Sequence, residues 1–167
     1  SGGVFYPEYF EKNFVFNDLT HKGALTGIRI EGPTNSVDQR VMRLCKELNL
    51  LKDEYSILES EQSSIFWNKT KNLEVFSNSK SNLLRVVVPV SETVNVIQKF
   101  KDHDINYFLD WGGSLIWLQI ENLNLKILKE IRDITRKHSG YFTIIKIEED
   151  LKASADIFTI DPIKYKI

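Results

Sequence analysis

Hydrophobic and polar positions in the second half of the chain follow two clear periods. The segment "LLRVVVPV" is rich in β-branched residues and closes with Pro89, which predicts a strand. The next segment, "SETVNVIQKFKDHD", predicts a helix with Ser91 as its cap. "INYFLD" and "SLIWLQI" predict two strands joined across Trp111, Gly112 and Gly113. A Gly-Gly pair supplies the positive φ angles that a two-residue hairpin needs, so we expect a β-hairpin here.

The last helix has the strongest signal. From Asn124 an apolar stripe recurs at helical spacing, basic residues fill the last turn, and Gly140 ends the pattern. "YFTIIKI", residues 141 to 147, predicts a final strand. The resulting strand-helix-strand-strand-helix-strand order predicts an α+β fold, a ferredoxin-like split βαβ antiparallel sheet with helices on one face.

The N-terminal half shows a weaker strand-helix-strand-helix order. "ALTGIRI", residues 24 to 30, predicts a strand, and Ser36 with Gln39 has the form of a capping box for a helix that packs on a sheet. "YSILES", 55 to 60, predicts a strand, and residues 61 to 76 a helix. This half either adds strands beside the second unit or forms a degenerate copy of it.

These patterns predict one α+β domain with short ends. Residues 1–20 form an N-terminal extension whose first three residues look like a cloning remnant. The domain spans 21–150, with a first subunit at 21–76 and a ferredoxin-like second subunit at 82–147. "SNSKSN", 77 to 82, is the linker between them, and 151–167 is a C-terminal tail.

Composition restricts the class of protein. Hydrophobic residues make up 42% and charged residues 27%, which fits a folded protein rather than a disordered or transmembrane chain. A net charge of -1, with no basic run longer than a pair, argues against nucleic acid as a partner. The absence of a signal-peptide pattern favours the cytoplasm. The single cysteine, Cys45, excludes an intrachain disulfide and is expected to be a buried small hydrophobe.

Motifs of nucleotide-binding loops, serine hydrolases and zinc proteases are absent from the sequence. His21, His103 and His138 lack metal-ligand spacing, so we expect no metal. His138 is expected to be a cation at a helix C-terminus, and the other two histidines to be solvated loop residues. The acidic runs at 52–54 and 148–150 are expected to be solvated.

Arg85 and the tryptophans are the candidates for binding. Arg85 falls in the middle of a β-branched strand, where an unpaired guanidinium is costly to bury, so it needs an anion. An internal partner such as Asp110, or an exposed sheet face, is weighted above a ligand. Trp117 is expected in the core, whereas Trp111 beside two glycines could form the wall of a ligand site.

Four segments taken in order resemble a known family. "IFWNKTKN", "LLRVVVPVSET", "LDWGGSLIWL" and "HSGYFTIIK" are similar to the C-terminal region of the FAD-binding subunit of bacterial glycolate oxidase, and "GALTGIRIEG" extends the likeness towards residue 24. The Trp-Gly-Gly segment is the most specific. The chain lacks the histidine-rich metal motif and the Asn-Pro-Gly ending of related proteins.

The resemblance implies a cap domain of the vanillyl-alcohol-oxidase-like flavoprotein superfamily, which covers the flavin of an FAD-dependent 2-hydroxy-acid oxidoreductase. FAD would be held mainly by a domain outside this chain, so the fragment alone would be inactive. The implied partners are that FAD-binding domain, other oxidase subunits and a small hydroxy acid. By similarity, Arg85 and Lys71 or Lys69 are candidates for the substrate carboxylate, and Trp111, Gly112 and Gly113 for a wall facing flavin or substrate. The alternative is a non-catalytic ferredoxin-like module that binds a ligand or a protein.

Overall fold

The computed structural model describes residues 2–10, 23–76 and 81–156. Within them, six strands form one antiparallel sheet in the order β2-β1-β4-β5-β3-β6. The strands are β1 (Gly2–Tyr6), β2 (Leu25–Arg29), β3 (Asn82–Val87), β4 (Ile105–Asp110), β5 (Leu115–Ile120) and β6 (Tyr141–Lys146). The helices are α1 (Thr34–Glu47), α2 (Ser60–Lys71), α3 (Thr93–Phe100), α4 (Leu125–Lys137) and the short α5 (Glu149–Lys152).

The second half has the predicted ferredoxin-like topology. Its elements follow the order β3-α3-β4-β5-α4-β6, and its strands lie in the order β4-β5-β3-β6. The helices α3 and α4 pack on one face of this unit, where Val96 and Ile131 meet the alternate strand residues Leu84, Ile116 and Phe142. The predicted α+β class and split βαβ arrangement are therefore confirmed.

The N-terminal part extends this sheet at the β4 edge. Gly2–Tyr6, placed by sequence in an N-terminal extension, form β1, which pairs with both β2 and β4. Residues 55–59, for which a strand was predicted, have no regular structure. The first half thus adds two strands to the sheet, and β1 rather than "YSILES" is the second of them.

An aromatic cluster holds the added strands on the face opposite α3 and α4. Its members are buried residues from β1, α2, β4 and two short 3-10 turns: Tyr6, Phe10, Phe66, Phe76 and Phe108. The rings of Tyr6 and Phe108 stack with centroids 4.9 Å apart. The Tyr6 hydroxyl donates to Thr70 Oγ1 at 2.9 Å, and burial raises the pKa of Tyr6 above its ordinary value of 10.0. The cluster therefore fixes α2 against β1 with its single polar group hydrogen-bonded.

Tyr9 continues the pairing of β4 where β1 ends. Its hydroxyl donates to the Tyr107 carbonyl oxygen at 2.7 Å and accepts from the Tyr107 backbone N–H at 2.6 Å. A side chain thus satisfies the two backbone groups that a longer β1 would have paired.

Several local expectations are wrong at the helix starts. The α1 helix begins at Thr34 with Pro33 as its N-cap and no side-chain cap bond, so Ser36 lies inside the first turn rather than capping it. No residue of α1 is fully buried, and its apolar face, including Val37, Val41 and Cys45, is only half-buried. The cap expected at Ser91 is also wrong, because Ser91 belongs to a 3-10 turn and Glu92 precedes α3.

The structure describes the start of α4, part of the linker and part of the C-terminal tail. The α4 helix follows Asn124, from which the predicted helical pattern runs, and the Asn124 side chain caps it by accepting from the Ile127 N–H at 3.0 Å. The linker at 77–82 lies largely outside the described residues, but Ser81 and Asn82 are buried. Asp156 of the tail bonds to Arg132 of α4 at 2.9 Å, and residues 157–167 lie outside the described part. Over the described ranges, no helix combines the length and apolar character needed to cross a bilayer.

Two histidines join α3 to α4. His138, at the C-cap of α4 as expected, lies with Nδ1 2.6 Å from Glu92 Oε2. His103 is largely buried, with Nε2 3.3 Å from Glu130 Oε2, so the expectation of a solvated loop residue is wrong. His21 lies outside the described residues.

The acidic runs at 52–54 and 148–150 are exposed, as expected.

Gly140 is required for space rather than for a left-handed conformation. Ser139 takes the positive φ of 58° at the end of α4. A Cβ on Gly140 would lie 2.4 Å from Val88 Cγ1 and 2.5 Å from the Val87 carbonyl oxygen. Because part of this clash is with backbone, the neighbours can yield only by separating β6 from β3.

We therefore predict that Gly140→Ala lowers the free energy of unfolding by about 1–3 kcal/mol through overpacking. Chemical denaturation followed by circular dichroism measures the change. Gly2→Ala is the matched control, since its Cβ would meet Trp67 at an ordinary 3.7 Å. Equal effects of the two substitutions would contradict the steric explanation.

The contact between Glu92 and His138 predicts a dependence of stability on pH. The hydrogen bond from His138 holds the pKa of Glu92 below its ordinary value of 4.5. The stabilisation is therefore complete above that ordinary value and is lost as the pH falls through the folded-state pKa. Glu92→Gln should remove this part of the acid destabilisation in thermal melts between pH 6 and pH 3, whereas Glu47→Gln on α1 should keep it.

Candidate functional site

Arg85 lies on the face of the ferredoxin-like unit that points away from α3 and α4. Alternation along β3 buries Leu84 and Val86 on the helix side and turns the half-buried Arg85 to the other side, which we call the Arg85 face. Within the described part of the chain, no carboxylate forms an ion pair with Arg85. Asp110, the internal partner considered from sequence, instead accepts a hydrogen bond from the Trp111 N–H at 2.7 Å.

The contact that Arg85 does make is with Trp111. The guanidinium carbon lies 4.7 Å from the centroid of the Trp111 ring, a cation–π distance. The Trp111 side chain is 56% exposed, so the pair stands at the rim of the surface rather than in the core. A cation–π contact engages the charge and leaves the guanidinium N–H donors available. The structure therefore brings together two of the residues singled out from sequence.

The loop that carries Trp111 is held in an unusual conformation. Trp111, Gly112 and Gly113 have φ angles of 52°, 65° and 99°, so three successive residues adopt positive φ. The register pairs Asp110 with Leu115, which makes the connection longer than the two-residue hairpin expected from sequence. The hairpin itself is confirmed.

Three hydrogen bonds fix this loop in addition to its glycines. Asp110 accepts from the Trp111 N–H, and Ser114 Oγ donates to the Trp111 carbonyl oxygen at 3.1 Å. The buried Thr93 at the start of α3 donates to the Gly113 carbonyl oxygen at 2.6 Å. A non-glycine residue at positive φ is costly, and these bonds from both flanks hold Trp111 in place.

A groove of about 800 Å³ adjoins the same loop. The residues that line it come from β1, β2, the end of β4 and the loop, and include Gly3, Phe5, Ile28, Leu109 and Gly112. A Cβ on Gly3 would lie 3.4 Å from the Gly112 Cα, so the backbones of β1 and the loop are close together here. Sequence reasoning missed this groove because it assigned no strand to residues 2–6.

The two candidate lysines lie on a different element. Lys69 and Lys71 occupy the last turn of α2, which packs over β1 and β2 through Phe66 and Thr70. Lys71 is exposed, and Lys69 is half-buried. Between the described side chains of Lys71 and Arg85 there is no hydrogen bond or ring contact, so the structure does not join these two positions into one site.

Two further residues on the Arg85 face carry unused donors. Trp117 pairs with Arg85 across β5 and β3, and Thr143 pairs with Arg85 across β6 and β3. The Trp117 Nε1 atom is buried without a hydrogen-bond partner. The expected core position of Trp117 is only partly observed, since the half-buried ring packs against the aromatic cluster through Phe108. Thr143 was missed, although it is the polar residue inside the apolar strand "YFTIIK".

Metal-binding groups do not converge in the described ranges, where no three His, Cys, Asp or Glu residues are grouped. Comparisons of the chain with protein-family models, with curated proteins and with solved structures give no match.

Proposed function

We propose that this chain is the cap domain of an FAD-dependent 2-hydroxy-acid oxidoreductase, similar to glycolate oxidase, in which Arg85 binds the substrate carboxylate. The observation that carries the proposal is a half-buried guanidinium with no acidic partner in the described residues. Such a cation is costly without an anion, and a carboxylate matches its fork of N–H donors.

The Trp111–Gly113 loop supports the same proposal. A cap needs a rigid wall where the flavin and substrate meet, and this loop is held by hydrogen bonds from Asp110, Ser114 and Thr93. The Trp111 ring holds the Arg85 guanidinium from one side. The chain would thus supply a positioned charge and a fixed wall. Lys69 and Lys71 of α2 remain candidates on the family resemblance alone.

The described residues do not fit a site that holds FAD by its phosphates. The doubly wound dinucleotide-binding fold, one common form of such a site, uses a parallel βαβ unit with a glycine-rich turn, whereas every strand pair in the described sheet is antiparallel. FAD would therefore be held by a separate domain, where the flavin accepts the hydride. The proposed partners are that domain and other oxidase subunits, in the cytoplasm, and this chain alone would have no oxidase activity.

The proposal predicts the effect of removing the charge at Arg85. In the complete enzyme assembled with its FAD-binding domain, Arg85→Ala should lower kcat/KM for glycolate about ten- to hundredfold, the range of a charge-assisted hydrogen bond. Glycolate-dependent dye reduction measures this change, and Arg85→Lys should retain part of the activity. Arg43→Ala, which breaks an exposed pair with Glu47 on α1, is the matched control. Unchanged kinetics in Arg85→Ala would remove the proposed role.

The groove beside the loop favours a second candidate, a non-catalytic module that binds an apolar ligand or a protein segment. It is bordered by Phe5, Ile28 and Leu109, and Ile28 is 50% exposed. Glycine backbones on two sides allow close approach of another molecule.

If the groove binds apolar ligands, Ile28→Glu should reduce the binding of a fluorescent apolar dye such as ANS to this chain at least severalfold. Met42→Glu is the matched control, because Met42 is 72% exposed on α1 and is not part of the groove. Equal loss in both variants, or no loss in either, would argue against the groove as a ligand site.

A further inference from the structure

Three neighbouring positions on the Arg85 face form a row of hydrogen-bond donors. Phe108, Trp117, Arg85 and Thr143 align across β4, β5, β3 and β6 by direct register. Directly opposed residues of antiparallel strands have Cβ atoms about 4.5–5.5 Å apart. The side chains of Trp117, Arg85 and Thr143, which we call the donor row, are therefore immediate neighbours.

Each member of the donor row lacks an acceptor within the described ranges. The Trp117 Nε1–H has no partner, the Thr143 hydroxyl has no hydrogen bond, and the guanidinium of Arg85 contacts only the Trp111 ring. A buried indole N–H without an acceptor costs free energy comparable to a lost hydrogen bond. Because its nitrogen is shielded from water, bulk solvent does not supply the missing acceptor.

The charges around the donor row indicate whether its ligand is an anion or a cation. Along β3, β5 and β6 no acidic residue lies within two positions of the row on the same face. The neighbours there are Leu83, Val87, Leu115, Gln119, Tyr141 and Ile145, and the cation Lys146 pairs with Leu83 beyond a bulge in β6. Asp110, at the end of β4, is engaged by the Trp111 N–H. Apart from Asp110, the described residues on this face of β3 to β6 carry no carboxylate, so Arg85 and the two neutral donors form an environment for a single negative charge.

We propose that Trp117 and Thr143 complete an anion site with Arg85, and that the donor row binds a small monocarboxylate without any flavin present. The ligand lies over the Arg85 guanidinium at the centre of the row, where Arg85 donates to one carboxylate oxygen and the Trp117 Nε1–H to the other. The Trp117 ring must turn to present this shielded N–H to the ligand. The Thr143 hydroxyl donates from the other neighbouring strand. The inference rests on the proposed function only for the identity of the acid, and it makes Trp117 and Thr143 ligand-binding residues.

The three tryptophans of the chain make the proposal directly measurable, since each gives one indole N–H signal. In a spectrum of the ¹⁵N-tryptophan-labelled chain, assigned with single Trp→Phe variants, glycolate should shift the Trp117 signal downfield in a saturable way. The Trp67 signal should stay unchanged, because Trp67 packs beside Gly2 and Arg29. Methyl glycolate, which lacks the charge, should leave all three signals in place.

Variants test each donor separately. Arg85→Gln should abolish the saturable shift, and Thr143→Val should weaken binding about two- to tenfold, the range for one neutral hydrogen bond. Thr34→Val, at the exposed start of α1 and outside the groove, is the matched control and should bind as the unchanged chain does. Trp117→Phe keeps an aromatic ring but removes the indole N–H, so it should weaken glycolate binding, read from the Trp111 signal.

The outcomes separate this inference from the proposed function. If the chain binds glycolate saturably but the complete enzyme does not oxidise it, the donor row is supported and the proposed oxidoreductase function is contradicted. No shift of the Trp117 signal up to high millimolar glycolate, or an equal shift with methyl glycolate, would overturn the donor row. Activity that depends on Arg85 would then still support the proposed function.

Discussion

The alternation of side chains along β3 is the constraint on which the rest of the structure depends. Leu84 and Val86 must face α3 and α4, because they fill the interior between those helices and the sheet. Because side chains alternate along the strand, Arg85 then lies on the opposite face, away from the aliphatic core beneath α3 and α4. A shift of one residue would bury a guanidinium among aliphatic side chains, so the packing of the hydrophobic core itself determines the position of the charge.

The aromatic cluster packs on part of the Arg85 face and fixes the side chains beside the donor row. Phe108 stacks on Tyr6 and also lies beside Trp117, with ring centroids 6.3 Å apart in the second contact. The N-terminal strand is therefore linked by ring contacts to the strand that carries the donor row. Packing of this kind restricts rotamers on the half-buried face and holds the polar tips of its side chains in fixed places.

Sequence patterns predicted the second half of the fold well, because its signals are local. The apolar stripe of α4 and the β-branched run of β3 each indicate the local structure within a few residues. The first half depended on partners distant in sequence. Nothing in "GGVFY" alone indicates a strand that pairs with residues 25–29, and "YSILES" has strand-like composition without a neighbouring strand to pair with.

The candidate site was predictable only in part for the same reason. The strand position of Arg85 and the glycines beside Trp111 are visible in sequence, and the structure places Arg85 against Trp111. The alignment of Trp117 and Thr143 with Arg85 depends on the register of three strands, which sequence periodicity does not specify. The lysines were chosen by resemblance, and their helix packs against other strands.

The double hydrogen bond of Tyr9 to Tyr107 has a consequence for solubility. Backbone groups left bare beside a truncated strand can recruit a strand from another molecule and begin intermolecular aggregation. One phenol occupies both groups on β4 at that point. The side chain thereby protects the sheet from self-association at the point where β1 ends.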